Sequence, residues 1–280
     1  MIVYFNGQFL PKKDISISPD DRGFLFADGI YEVIRSYQGQ LFQCQAHIRR
    51  LESGATALHF NRTDFNEFSH IAKELIEINQ LTQKEATIYI QVTRGTAPRS
   101  HQFPSIETPL TIYAEVKVFV PKTSQINNGI KAILVPDYRW SMCNVKSTAL
   151  IVNTMAHQQA IDAGAQEAIF VRNGFLTEGA HTNVLLIKNN SVITPPKTNY
   201  ILGGITREVV LNCCYQHSIS VEERSINEKE LYDADELMLS GTTVEITPIV
   251  QLNQKIIGTG SPGPMTRKIQ ELFRKFREKS

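Results

Sequence analysis

The chain has 280 residues, of which 42% are hydrophobic and 20% are charged, and its formal net charge is +1. These values are ordinary for a soluble globular protein with two domains, and the absence of a basic stripe excludes a nucleic-acid-binding surface. No apolar run reaches membrane-spanning length, no signal peptide is recognisable, and the four cysteines form no CxxC pair, which together predict a reduced, cytoplasmic chain with no membrane partner and no metal site.

Short alternating segments and two amphipathic helices predict an α+β domain over residues 1–120. The predicted elements are hairpins of Ile2–Phe5 with Gln8–Leu10 and of Tyr31–Tyr37 with Gln40–Gln43, helices at Ala46–Leu58 and Asp64–Asn79, and strands at Ala86–Arg94 and Leu110–Phe119. The polar segment 121–129, which begins with Pro121 and ends with Gly129, predicts an interdomain linker.

Strands that alternate with helices predict a larger mixed domain over residues 130–280. The predicted strands are Ile130–Pro136, Glu167–Arg172, Asn183–Lys188 and Glu236–Ser240. The predicted helices are Leu150–Ala163, Thr206–His217 and Met265–Lys279, with one short helical turn at Asn227–Tyr232.

The residues around Lys146 in the sequence favour a reactive amine. It follows Val145 and precedes the apolar run 149–152, which places its amine at the edge of a buried region. Removal from water disfavours the charged form of an amine and frees it to attack a carbonyl. The alternative is a lysine at the start of a helix with its charge in solvent.

Glu178 and two loops of small residues supply what pyridoxal phosphate requires besides an amine. A carboxylate keeps a pyridine nitrogen protonated. Gly203-Gly204-Ile205-Thr206 precedes a predicted helix, whose first N–H groups can bind a phosphate, and Ser240-Gly241-Thr242-Thr243 offers hydroxyls and bare backbone. Taken singly, these are equally a turn glutamate, a helix cap and a strand-to-helix turn.

Three basic residues are further candidates for binding anions. Arg50 lies on a predicted helix and can reach a phosphate with two N–H groups, although an ion-pairing surface arginine is favoured from the local residues alone. Arg99 and His101 lie two positions apart in a loop after a strand, so they can point the same way and clamp a carboxylate. A basic surface loop is the alternative.

In their order along the chain these motifs resemble the class IV aminotransferases, which are fold-type IV pyridoxal-phosphate enzymes. The resemblance extends from Asp21-Arg22-Gly23 to Glu245-Ile246-Thr247-Pro248. It implies a small α+β N-terminal domain, a larger mixed α/β pseudo-barrel domain, and the cofactor pyridoxal 5'-phosphate between them. Lys146 would be catalytic and form the Schiff base, and Glu178 would pair with the pyridine nitrogen. The other implied cofactor-binding residues are Arg50, Leu202, Gly204, Ile205, Thr206, Gly241 and Thr242.

Within the family the chain is most similar to the D-amino acid aminotransferases. The shared features are Tyr31-Glu32-Val33, the loop from Arg94 to Pro104, and Arg139-Trp140. They imply ping-pong transamination between a D-amino acid such as D-alanine and an α-keto acid such as 2-oxoglutarate.

The same resemblance implies a substrate site made by two copies of the chain. Tyr31 and Val33 would bind the substrate, and Arg99 and His101 of the neighbouring subunit would bind its α-carboxylate. The implied assembly is therefore a homodimer with shared active sites, whose other partners are small amino and keto acids.

Three alternatives differ from this reading at particular residues. Branched-chain L-amino acid aminotransferases usually carry Phe-Glu-Gly in place of Tyr31-Glu32-Val33, and 4-amino-4-deoxychorismate lyases lack the loop with Arg99 and His101. A carrier without turnover needs no carboxylate clamp. One departure from the D-specific group is His181, which stands where those enzymes carry serines and implies a change in rate, substrate range or optimum pH.

Overall fold

A six-stranded antiparallel sheet forms the centre of the first of two units in this computed structural model, which describes residues 1–279. The first unit contains Met1–Val120 and Val145–Ala149, and the second contains Pro121–Asn144 and the chain from Leu150 onward. The elements of the first unit are β1 (Ile2–Phe5), β2 (Gln8–Pro11), α1 (Arg22–Phe26), β3 (Gly29–Tyr37), β4 (Gln40–Leu41), α2 (Cys44–Ala57), α3 (Phe68–Ile78), β5 (Ala86–Thr93) and β6 (Thr111–Val118). The sheet order is β2-β1-β6-β5-β3-β4.

The periodicity of apolar residues accounts for these elements. Every second residue of β5 is buried, and the buried residues of α3 recur every three or four positions, which gives each element one face toward the core. The hairpins, helices and strands predicted for this unit are confirmed. One boundary was wrong: α3 begins at Phe68 and not at Asp64, because the Asp64 carboxylate accepts the Asn66 N–H at 3.1 Å and closes a turn before the helix.

A nine-stranded mixed sheet forms the centre of the second unit. Its elements are α4 (Thr123–Asn128), β7 (Ile130–Pro136), α5 (Ile151–Asp162), β8 (Glu167–Arg172), β9 (Phe175–Gly179), β10 (Asn183–Lys188), β11 (Ser191–Thr194), α6 (Ile205–Gln216), β12 (Val221–Glu223), α7 (Glu228–Tyr232), β13 (Glu236–Gly241), β14 (Glu245–Leu252), β15 (Lys255–Ile256) and α8 (Pro264–Lys279). The order is β12-β11-β10-β13-β14-β7-β8-β9, with β15 beside β14.

Two features of the predicted domain organisation differ from the structure. The segment 121–129 is not an open linker, because α4 forms within it and the Gln270 side chain donates to the Ile126 carbonyl at 2.9 Å. No residue of α4 is buried, so its composition resembles that of a loop. Lys146 was assigned to the second domain, but its segment groups with the first unit because its backbone is hydrogen-bonded to Tyr31.

Several strands were not predicted, and β14, which has eight residues, is the most consequential of them. It carries Pro248 opposite Met238, although proline is rare in an internal strand because it donates no ladder hydrogen bond. Its pairing with β7 is irregular between Ile249 and Gln251. Among the helices of residues 1–279, none combines the length and apolar character needed to cross a bilayer.

Candidate functional site

Lys146 lies on a short irregular segment that is hydrogen-bonded to the beginning of β3. The Tyr31 N–H donates to the Lys146 carbonyl at 3.0 Å, and the Thr148 N–H donates to the Gly29 carbonyl at 2.9 Å. The Lys146 Nζ lies 4.2 Å from the centre of the Tyr31 ring. The predicted catalytic lysine and a predicted substrate-binding residue are therefore neighbours. Helix α5 begins only at Ile151, so Lys146 is not a helix-start lysine.

Glu32 directly follows Tyr31 in the sequence. Its side chain points to the other face of β3, since side chains alternate along a strand. Its carboxylate accepts from Arg50 Nε at 2.6 Å and Arg50 Nη2 at 2.9 Å, and lies 2.8 Å from His47 Nδ1. Burial alone would raise the pKa of Glu32, but Arg50 and His47 hold it well below its usual value. Sequence reasoning identified Arg50 but missed both partners, and the three-residue spacing on one helix face was the available signal.

The His47 environment predicts a loss of stability in mild acid. Burial is the largest influence and lowers the pKa of His47 below 6.5, while Glu32 opposes it. A base whose pKa is depressed by folding binds more protons when unfolded. Stability is therefore present above about pH 6.5 and falls as the pH drops from there toward the folded pKa. Urea unfolding across this range should show a flatter pH profile for His47→Gln than for the wild type.

The matched control for this measurement is His70→Gln, which removes an exposed histidine of the same unit. It should keep the wild-type slope. A His47→Gln profile as steep as that of the wild type would contradict the assignment.

A buried ion-pair network surrounds Glu178 in the second unit. Arg139 Nη1 donates to Glu178 Oε1, and Arg139 Nε and Nη2 donate to the two oxygens of Asp137, each at 2.9 Å. Thr177 Oγ1 also donates to Asp137 at 2.9 Å. Burial would raise the pKa of Asp137, but Arg139 and Arg172 lower it to about 2. Glu178 is thus paired with a permanent cation inside the protein, unlike a solvated turn glutamate.

Asn183 connects Glu178 with both small-residue loops. Its Nδ2 donates to the Leu202 carbonyl at 2.9 Å and to Glu178 Oε2 at 3.3 Å, and the Leu202 N–H donates to the same Glu178 oxygen at 2.9 Å. A Cβ on Gly204 would lie 1.9 Å from Asn183 Oδ1, so glycine is required at this close approach. Antiparallel pairing of β10 with β13 sets Asn183 opposite Ser240. Sequence reasoning did not identify Asn183.

The start of α6 and the β13–β14 turn present donors that suit a phosphate. Helix α6 begins at Ile205 after Gly204, which offers no side-chain cap, so the first-turn N–H groups lack intrahelical partners. Gly241-Thr242-Thr243 joins two antiparallel strands, and the alternative of a strand-to-helix turn is wrong. In the part of the chain that the structure describes, the buried Ser240 Oγ has no hydrogen-bond partner.

Arg99 and His101 lie together on an exposed loop of the first unit. The Arg99 guanidinium carbon lies 5.4 Å from the Phe26 ring centre, and the His101 ring centre lies 5.7 Å from it. Arg22 fixes the loop by donating to the Ser100 carbonyl at 2.8 Å. Both side chains therefore contact the same ring, which agrees with the prediction that residues two positions apart point the same way.

The donors in the two units match the chemical groups of pyridoxal phosphate. Lys146 is an amine for the aldehyde, and Glu178 is a carboxylate with both oxygens anchored. Backbone N–H and hydroxyl groups at Thr206 and Thr242 suit the phosphate, and the unpartnered Ser240 hydroxyl is an atom that a polar ligand would satisfy. The residues therefore fit the cofactor, and the contact that each makes with it stays a prediction.

Comparison with known proteins gives concordant matches. The family described as amino-transferase class IV matches residues 29–252. A D-alanine aminotransferase of Bacillus licheniformis is 40% identical over 271 residues, which cover 96% of this chain and 95% of that protein. The D-alanine aminotransferase of Staphylococcus haemolyticus is 38% identical over 277 residues, with coverages of 99% and 98%.

A solved structure supports the architecture independently. The branched-chain amino acid aminotransferase of Escherichia coli superposes with a TM-score of 0.92 at 24% identity, covering 99% of this chain and 94% of that one. Likeness at this level of identity concerns the fold alone.

Proposed function

Because this chain belongs to the amino-transferase class IV family, we propose that it exchanges amino groups between D-amino acids such as D-alanine and α-keto acids such as 2-oxoglutarate, with pyridoxal phosphate as cofactor. The observation that carries this proposal is the 40% identity to a D-alanine aminotransferase across 96% of the chain. The family and the fold-type IV fold class predicted from the sequence are confirmed. The four free thiols support a cytoplasmic location.

Lys146 carries the central chemical role in this proposal. When bound, pyridoxal phosphate supplies a carbonyl carbon for the amine and a ring that accepts electrons from the substrate Cα. The Lys146 Nζ removes the Cα proton as a base and returns a proton as an acid. The Tyr31 ring borders the amine at 4.2 Å and limits the space in which it moves.

The second unit contributes binding and charge. Glu178, paired with Arg139, would hold the proton of the ring nitrogen in place. Leu202 would pack on the ring, and Asn183 orients both Glu178 and the Leu202 backbone through its hydrogen bonds. The proposed phosphate-binding residues are Arg50, Gly204, Ile205, Thr206, Gly241 and Thr242.

We assign Arg99 and His101 to the α-carboxylate of a substrate bound by a second copy of this chain, in a homodimer with shared sites. Both side chains are exposed, and neither forms an ion pair within residues 1–279. Arg22 holds the loop in place, so the Arg99 guanidinium and the His101 imidazole are preorganised to donate to a carboxylate. Tyr31 and Val33 complete the substrate site in this proposal.

Arg99→Ala is expected to raise the KM for D-alanine by roughly 10- to 100-fold, since a hydrogen bond to a charged group contributes about 1.5–3 kcal/mol. The change in kcat should be smaller, because the reacting atoms are not touched. Steady-state kinetics at saturating 2-oxoglutarate measures both constants. Arg62→Ala, an exposed arginine of the same unit, is the control and should leave KM unchanged. An unchanged KM in Arg99→Ala would remove the carboxylate assignment.

The proposed activity is tested by mixing the holoenzyme with D-alanine and 2-oxoglutarate and following pyruvate. Pyruvate should form only when both substrates are present. Turnover restricted to L-leucine or L-valine would replace the D-specific proposal with a branched-chain one. Pyruvate formed from aminodeoxychorismate without a keto acid would indicate a lyase, and no turnover with any amine would indicate a carrier.

A further inference from the structure

Three potential metal ligands converge beside α5 in the second unit. His157 lies on α5, Glu167 begins β8 and His181 lies in the turn after β9, and their ligand atoms are all within 4.8 Å of one another. The His181 Nδ1 is 3.4 Å from the Glu167 Oε2, and the two imidazole rings meet edge to face with centres 5.3 Å apart. The prediction of no metal site rested on sequence spacing, which does not reveal ligands from three separate elements.

Two of these residues place a buried nitrogen and a buried carboxylate at the site. The His157 Nδ1 is buried and has no hydrogen-bond partner among residues 1–279. The Glu167 carboxylate is buried as well. Within the same residues Glu167 forms no ion pair with a lysine or arginine. A bound cation would satisfy the nitrogen and neutralise the carboxylate together.

The Glu167 carboxylate is already oriented by its neighbours. Its Oε2 accepts from Thr182 Oγ1 at 2.8 Å, and its Oε1 accepts from the backbone N–H groups of Ala168 at 2.9 Å and Ala180 at 3.3 Å. Such outer partners fix the direction in which a ligand presents its lone pairs. The His181 side chain is 45% exposed, so a cation can enter the site from solvent.

We propose that His157, Glu167 and His181 form a binding site for a divalent transition-metal cation, with Zn²⁺ the best match. Two imidazole nitrogens and one carboxylate oxygen suit Zn²⁺, Co²⁺ or Ni²⁺, whereas Mg²⁺ and Ca²⁺ prefer oxygen ligands. Three protein ligands leave the fourth tetrahedral position to water. Bonds of about 2.0–2.1 Å place tetrahedral ligand atoms roughly 3.3 Å apart. The His181 Nδ1 and the Glu167 Oε2 are already 3.4 Å apart.

The site is tested by equilibrium dialysis of the holoenzyme against ZnCl₂, with bound metal counted by atomic emission. The wild type should take up one zinc ion per chain. His181→Ser and His157→Gln should each bind zinc at least about 10-fold more weakly, since each removes one ligand of three. Zinc should also raise the Tm of the wild type but not that of His181→Ser, because the cation binds the folded chain.

The matched control is His70→Gln, which removes an exposed histidine that lies 3.3 Å from Glu74 on α3 and has no third ligand. This variant should bind zinc like the wild type. No uptake by the wild type would overturn the proposal, as would uptake that either His157→Gln or His181→Ser retains in full. His181 is partly exposed, so its serine variant keeps the test valid if His157→Gln fails to fold.

Discussion

Lys146→Ala is expected to abolish transamination. The substitution removes the amine proposed to attach the cofactor, which is also the base proposed to take the Cα proton. Loss of the proton transfer alone costs about 10²- to 10⁴-fold in rate. We expect no other lysine to replace it, because the hydrogen bond from the Tyr31 N–H to the Lys146 carbonyl and the Tyr31 ring beside the amine position this lysine specifically. The rate is best measured in a single half-reaction, with D-alanine added to cofactor-loaded protein and one equivalent of pyruvate counted.

Two controls separate this effect from damage to the fold. Lys84→Ala, an exposed lysine of the same unit, should retain the wild-type rate. Borohydride reduction followed by peptide mass analysis should find the cofactor on the Lys146 peptide of the wild type and on no peptide of Lys146→Ala. A wild-type rate in the variant, or cofactor attached to another lysine, would refute the assignment.

Arg139→Ala is expected to lower the free energy of unfolding by about 3–5 kcal/mol, the cost of removing one partner of a buried ion pair. The change leaves the buried carboxylates of Asp137 and Glu178 without their shared cation and removes a donor to the Tyr200 carbonyl. The guanidinium also packs 4.3 Å from the Phe170 ring centre. Because Glu178 loses the hydrogen bond from Arg139 to one of its two oxygens, the amount of cofactor retained should decrease as well. Urea unfolding at neutral pH and the cofactor content after dialysis measure the two effects.

The matched comparison is Lys197→Ala, which breaks an exposed ion pair with Glu208 and should change stability by less than about 1 kcal/mol. Arg139→Lys should recover only part of the loss, because a compact ammonium group cannot reproduce the planar fork of donors that reaches Asp137, Glu178 and the Tyr200 carbonyl together. A stability change in Arg139→Ala no larger than that in Lys197→Ala would show that the network contributes little.

Local patterns in the sequence were sufficient to predict much of the fold and to propose the centre of the site. Strong periodicity predicted α2 and β5 because each exposes one face to a core. The glycines before α6 predicted the start of a helix with N–H groups that a ligand can approach, since these are local properties, and α6 begins there. The prediction placed the start of α3 too early, because a turn closed by Asp64 precedes the helix. The prediction missed β14, because proline, here Pro248, is atypical of an internal strand.

The amine, the carboxylate and the loops proposed to bind phosphate could be predicted from residue type and order, because each is encoded within a few consecutive positions. The residues that hydrogen-bond to these groups or form ion pairs around them could not be predicted in this way. Glu32 with His47, Asp137 with Arg139, and Asn183 with Glu178 are contacts that packing creates between distant segments, as are the three side chains proposed to bind zinc. Burial decides whether such a group is charged, paired or in need of a ligand, and burial exists only once strands and helices have packed together.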